Sequence, residues 1–136
     1  KNNDLNSMIE ALKTKGIKSI KLPVSAPFHC KLMNNATKIM KKKLEQTNFV
    51  DGKNILISNV TAKEILNKDE LKKLLIEQIE SRVRWRESIN KMIGDGINHF
   101  IEIGPGKVLT GLIKRINKDV KLNTINQQSD IKDLKI

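Results

Sequence analysis

Apolar positions recur along this chain in blocks whose spacing alternates between that of a helix and that of a strand. Met8, Ile9 and Leu12 share one face of a short helix, with Asn6 or Ser7 placed to cap it and Gly16 to stop it. Residues 17–22 read as a strand with Ile20 and Leu22 on one side. Pro23 and Pro27 exclude continuous helix or central strand between them. Leu32, Met33, Ala36, Ile39, Met40 and Leu44 return to helical spacing over residues 31–45, and Lys38, Lys41, Lys42 and Lys43 form the opposite, solvated face. After an Asp51-Gly52 turn, Ile55, Leu56, Ile57 and Val60 make a short apolar run that predicts a buried strand. Asp69 is placed to cap a helix carrying Leu71, Leu74, Leu75 and Ile79, with Gln78 in its last turn. Trp85, Ile89, Met92 and Ile93 lie on one stripe of another helix, ended by Gly94-Asp95-Gly96. Residues 97–103 are apolar on both faces, the pattern of a strand covered on both sides. Gly104-Pro105-Gly106 turns that strand into a helix bearing Val108, Leu109, Leu112, Ile113 and Ile116. Residues 120–125 predict a last strand, and residues 127–136 a short final helix.

Strands alternating with helices place the chain in the α/β class, with a parallel sheet and helices on both faces. The strands are few for a self-contained doubly wound domain. With Lys1 rather than Met in first position, the reading is of a piece of a larger protein.

Composition adds one strong bias. Lys and Arg number 26 against 15 Asp and Glu, a formal charge of +11 over 136 residues. Such a balance favours acidic partners: nucleic acid, phosphorylated cofactors, anionic membrane or an acidic protein. A general drift toward lysine explains it equally well. Phe28, Phe49, Trp85 and Phe100 are the only aromatic rings, which argues against single-strand binding by base stacking. The single Cys30 allows no internal disulfide, and no apolar run is long enough to span a bilayer.

Candidate chemistry centres on His29. It lies in a Pro-bounded loop between a predicted strand and a predicted helix, and imidazole takes and returns protons near neutrality. From the residues alone, a loop histidine without chemistry is the simpler reading. His99, in an apolar strand, reads as structural, and Cys30 as a small buried side chain. No ligand spacing for a metal occurs. No G-x-S-x-G elbow supplies a nucleophile; Ser25 and Ser58 lack that context. Gly104-Pro105-Gly106-Lys107 could bind an anion at a helix start, but its spacing fits no phosphate motif, and a tight turn accounts for the glycines. Arg82, Arg84 and Arg86 around Trp85 are a weak signal for phosphates or an acidic protein.

Taken in order, four segments resemble the malonyl-CoA:acyl-carrier-protein transacylase family of type II fatty acid synthesis. They are Leu22-Pro23-Val24-Ser25-Ala26-Pro27-Phe28-His29-Cys30-Lys31-Leu32-Met33; Ile57-Ser58-Asn59-Val60-Thr61-Ala62; Glu77-Gln78-Ile79 with Val83-Arg84-Trp85; and Ile101-Glu102-Ile103-Gly104-Pro105-Gly106-Lys107-Val108-Leu109-Thr110-Gly111-Leu112. The resemblance implies an α/β-hydrolase-like acyltransferase core with an inserted ferredoxin-like subdomain. Residues 1–22 would end the small subdomain and residues 23–136 form the C-terminal part of the large one. The family's serine elbow, its malonyl-binding arginine and its oxyanion glutamine would lie upstream.

The resemblance further implies ping-pong transfer of malonyl from coenzyme A to the phosphopantetheine thiol of acyl carrier protein. His29 would act as general base, and Gln78 would orient it through its backbone carbonyl. It implies malonyl-CoA as substrate with no bound cofactor or metal, acidic acyl carrier protein as partner, no nucleic acid or membrane, and a soluble monomer in a bacterial-type cytoplasm or a plastid-type organelle. This stretch alone is expected to be inactive and marginally stable. Two departures fall beside Gln78: Arg82 stands where many members have proline, and Glu80-Ser81 replaces a more usual aromatic or small pair. An acyltransferase domain of a polyketide or large fatty acid synthase shares the pattern, and Phe28 before His29 accords with malonyl-selective members. From another class, a basic module binding nucleic acid or phosphoprotein remains the rival.

Overall fold

The structure, a computed structural model, describes residues 2–21, 24, 26–132 and 134. Helix α1 spans Asn2–Thr14, followed by α2 (Asn34–Gln46), α3 (Lys68–Glu77) and α4 (Trp85–Gly94). Strand β1 (His99–Ile103), helix α5 (Val108–Ile116) and strand β2 (Lys121–Ile125) make a β-α-β unit, and α6 (Gln128–Lys132) closes the described chain. The two strands pair in parallel, with His99 opposite Lys121 and Ile103 opposite Ile125. The architecture is mixed α/β, as the alternation of periods implies.

The core lies where α4 and α5 close on the sheet. Ile89 is fully buried, Phe100 and Ile113 nearly so, and Trp85, Met92, Ile93, Ile116, Val120 and Leu122 pack around them. The side of β1 that carries Phe100 is thus covered. Its other side is not: Ile103 is 79% exposed and Ile101 36%. The expectation of a strand covered on both sides is therefore corrected, because both helices of the core sit on the Phe100 side.

Two expected strands are also corrected. Residues 17–21 run without a ladder partner among the described residues, and Leu22 lies outside them. Residues 55–60 form no extended strand. Ile57 makes one antiparallel bridge with Glu64, and Ile55 is 76% exposed. Ser58 N–H donates to Lys63 O at 2.9 Å and Ala62 N–H back to Ser58 O at 2.8 Å, so the chain folds on itself within a few residues. The hydroxyl oxygen of buried Ser58 accepts from Val60 N–H, and Ala62 is forced to φ +56°. An apolar run becomes a strand only with a neighbour to share its amides and carbonyls.

Helix limits shift for local reasons. α1 begins at Asn2, earlier than an Asn6 or Ser7 cap would put it, and Gly16 ends it at φ +70°. Asn67, not Asp69, caps α3: its side-chain oxygen accepts from the N–H groups of Asp69 (3.1 Å) and Glu70 (2.9 Å). The helix predicted over 31–45 starts with a 3₁₀ turn, Lys31–Met33, before α2. Of the final helix predicted over 127–136, the described part is α6; residues 133, 135 and 136 lie outside the described residues.

The start of α5 is closed by the protein itself. Glu102 of β1 accepts from Thr110 N–H (2.8 Å), Leu109 N–H (3.0 Å) and the Thr110 hydroxyl (2.9 Å). Gly106 N–H donates to Asn126 Oδ1 at 2.6 Å. The anion reading of Gly104-Pro105-Gly106-Lys107 gives way to the tight-turn reading, since Glu102 already holds the first amides of the helix. The glycines serve the turn: Gly104 and Gly106 have φ +136° and +94°.

Those donors, Thr110 N–H foremost, then Leu109 N–H and the Thr110 hydroxyl, hold the Glu102 carboxyl below the ordinary glutamate value of 4.5 against an opposing desolvation. The unfolded chain then binds the proton more readily than the folded one. Glu102 accordingly stabilises the fold fully above that ordinary value, and the contribution is lost as pH falls below it through the depressed one. Glu102→Gln should unfold at lower denaturant than the parent at pH 7, with the gap narrowing toward pH 3. A gap that stays constant across that range would contradict the assignment.

Candidate active site

The loop before α2 is short and self-braced. Phe28 N–H donates to Ala26 O at 2.9 Å, Cys30 Sγ–H to Pro27 O at 3.2 Å, and Met33 N–H to Cys30 O at 2.9 Å. Between these contacts His29 adopts φ +61°, the left-handed region that a residue with a Cβ rarely occupies. Strain of this kind, of order 1–3 kcal/mol, persists only where the surroundings determine the geometry. His29 is exposed, as is Phe28, at 56%. Cys30 is half-buried rather than buried, because its thiol reaches back to the loop carbonyl at the surface.

The imidazole meets the end of α3. His29 Nδ1 lies 2.9 Å from the backbone oxygen of Gln78, the residue that terminates the helix. A carbonyl only accepts, so Nδ1 carries the proton and donates it. In the neutral ring Nε2 is then left with its lone pair. Helix ends present carbonyls that lack an intrahelical donor, and the imidazole satisfies one of them. A cavity of about 200 Å³, lined by Ser58, Asn59, Leu71, Leu74 and Gln78 among others, adjoins this end of α3.

The segment from Gln78 to α4 is held by several contacts. Asn34 Nδ2 donates to Glu80 Oε1 at 3.2 Å. Arg82 pairs with Glu87 at 2.8 Å, Arg84 approaches the same carboxylate at 3.7 Å, and Arg84 N–H donates to Asn59 O at 2.8 Å. Arg82 and Arg84 are therefore engaged with the protein's own Glu87. The Asn34–Glu80 contact links residues 46 apart and has no signature in the sequence; the Asn59 carbonyl likewise enters only through the fold.

The remaining candidates fall elsewhere. His99 Nε2 donates to Asn123 Oδ1 at 2.8 Å, joining β1 to β2, in line with a structural role. Among the described residues no group of three or more His, Cys, Asp or Glu side chains could hold a metal ion. No helix of the described residues is long and apolar enough to cross a membrane.

No family model matches the chain. Individual proteins do. The malonyl CoA-acyl carrier protein transacylase of Bacillus subtilis is 44% identical over 123 residues, 90% of this chain and 39% of the relative. That of Staphylococcus aureus is 39% identical over 129 residues, 94% of this chain and 42% of the relative. Among solved structures, the acyl-carrier-protein-S-malonyltransferase of Bartonella henselae superposes with a TM-score of 0.86 at 41% identity, over 94% of this chain and 41% of that one. The chain thus spans less than half the length of the curated relatives it matches. Similarity in sequence and in fold along nearly all its described length leads to one conclusion: the chain belongs to the malonyl-CoA:acyl-carrier-protein transacylase family.

Proposed function

We propose that this chain is part of an acyltransferase that moves a malonyl group from coenzyme A to the phosphopantetheine thiol of acyl carrier protein, with His29 as the general base. The observation that carries this reading is the 2.9 Å contact of His29 Nδ1 with the Gln78 carbonyl, which leaves Nε2 as a proton acceptor at the surface. The malonyl and carrier-protein identities rest on the names of the relatives.

The reaction has two halves. A serine of the same enzyme, outside this chain by family resemblance, attacks the malonyl thioester. Nε2 takes the serine proton as the Oγ–C bond forms; the C–S bond then breaks, and the imidazolium returns the proton to the departing thiolate. In the second half the carrier thiol gives its proton to Nε2 and attacks the serine ester, and the serine oxygen recovers the proton. A histidine held by an uncharged carbonyl suits such two-way traffic, since Nδ1–H stays bonded to Gln78 while the proton comes and goes at Nε2, and the carbonyl adds no full negative charge to hold the ring in its protonated form. Gln78 contributes its main chain, and its side chain need take no part.

In the larger architecture we place residues 23–136 in an α/β-hydrolase-like core and residues 1–22 at the end of a ferredoxin-like subdomain. Support comes from the apolar groove of about 600 Å³ between α1 and the following segment, lined by Leu5, Met8, Ile9, Leu12, Ile20 and Val24 among others, which offers a second packing surface apart from the β1–β2 core. The excess of basic residues suits an acidic carrier and a phosphorylated thiol donor.

The test is direct. A full-length enzyme containing this chain, incubated with malonyl-CoA and holo acyl carrier protein, should yield malonyl-carrier protein by intact mass. Without carrier, the enzyme itself should gain one malonyl group on serine. Carrier protein that remains unacylated would overturn the reading.

A further inference from the structure

The contacts around the end of α3 carry more than the histidine's own hydrogen bond. We propose that Asn34 and Glu80 form a clamp that positions the Gln78 carbonyl against His29, so that both are positioning residues for the transfer; this rests on the reading of His29 as the base.

The geometry is that of two tethers between the same two segments. His29 and Asn34 flank the 3₁₀ turn Lys31–Met33, and Gln78 and Glu80 stand two residues apart at the end of α3. The first tether is His29 Nδ1–H to Gln78 O at 2.9 Å; the second is Asn34 Nδ2–H to Glu80 Oε1 at 3.2 Å. One hydrogen bond between two segments is a pivot, about which each can turn. A second, displaced from it, removes that rotation and fixes the direction in which the imidazole points.

The backbone anchors Gln78 itself, through Gln78 N–H to Leu74 O at 3.0 Å. The chain beyond it turns through Ile79 N–H to Ile76 O at 3.4 Å, Glu80 N–H to Glu77 O at 3.2 Å and Ser81 N–H to Glu77 O at 3.0 Å; none of these bonds joins the histidine loop to the turn. Its far end is secured by Arg84 N–H on Asn59 O and by the Arg82–Glu87 pair. The near end, which carries Gln78, has the Glu80 side chain. Polar side chains thus hold the turn at both ends, Glu80 through Asn34 and Arg82 through Glu87. An ionised carboxylate accepting from an amide makes a charge-assisted bond, and glutamine at the same position would still accept.

The experiment is steady-state malonyl transfer by a full-length transacylase containing this chain, in Glu80→Ala, Glu80→Gln, Asn34→Ala, the Glu80→Ala/Asn34→Ala double variant and His29→Ala. Glu80→Ala and Asn34→Ala should each lower kcat about tenfold, because small misplacement of a reacting group is costly. KM for malonyl-CoA should stay within about twofold, as expected when only the chemical step is touched. The double variant should be no worse than either single one, and Glu80→Gln should keep about half the parent kcat or more. Full kcat in both single variants, losses that add in the double, or a Glu80→Gln loss equal to that of Glu80→Ala would each overturn the clamp. Unchanged transfer in His29→Ala would instead overturn the assignment of the base, whatever the clamp variants do.

Discussion

His29→Ala is expected to lower malonyl transfer by a full-length enzyme containing this chain by about a hundredfold or more, the usual loss when a positioned general base is removed. A hundredfold corresponds to about 2.7 kcal/mol of transition-state stabilisation. The expectation follows from the tautomer. The Gln78 carbonyl holds the proton on Nδ1, which leaves the other ring nitrogen unprotonated in the neutral ring and able to accept. Alanine removes the acceptor and gives the serine no substitute, so kcat should fall in both half-reactions while malonyl-CoA binding is little altered. Alanine also tolerates the left-handed backbone of position 29 poorly, and His29→Asn is the companion variant because asparagine accepts that conformation more readily. Both variants should lose transfer to a similar extent, with His29→Asn keeping the higher melting temperature of the two. Transfer at the parent rate in either one would remove His29 from the mechanism.

The second large effect concerns stability. Ile89→Ala should lower the unfolding free energy by about 2–5 kcal/mol, the range for emptying a buried isoleucine site. Ile89 is the one fully buried large side chain among the described residues and the centre of the cluster with Phe100 and Ile113. Since domains have only about 5–15 kcal/mol in all, a cluster this small makes the loss severe. Ile39→Ala on α2, where the side chain is 65% exposed, should change stability by less than about 0.5 kcal/mol. Denaturant unfolding of the two variants checks the contrast. Equal midpoints would mean that the α4–β1–α5 cluster is not the core.

The helices were largely legible in the sequence. Their apolar faces repeat within a few residues, and Trp85, Ile89, Met92 and Ile93, or Ile113 and Ile116, meet the core as their spacing implies. The β1–α5–β2 order was legible for the same reason. The strands expected at 17–22 and 55–60 were not, because apolar character reports a tendency to be buried, and strand formation needs a second strand at hand. The choice of Asn67 over Asp69 as the α3 cap was out of reach of pattern as well, since both residue types cap and only the backbone angle at Asn67 decides. The role proposed for the histidine came from resemblance, as one His in a Pro-bounded loop has too little context of its own. Its contact with the Gln78 carbonyl and the Asn34–Glu80 contact join chain segments nearly fifty residues apart, where local spacing carries no information.

That separation also bears on the order in which the molecule assembles. β1, α5 and β2 are consecutive, so the loops that must close to build the sheet and its covering helix are short and cheap in chain entropy. The contacts of His29 and Asn34 with the end of α3 join exposed groups and close loops of 49 and 46 residues. They are expected to form later in folding and to open earlier than the β1–α5–β2 unit, as a less stable part resting on a more persistent one.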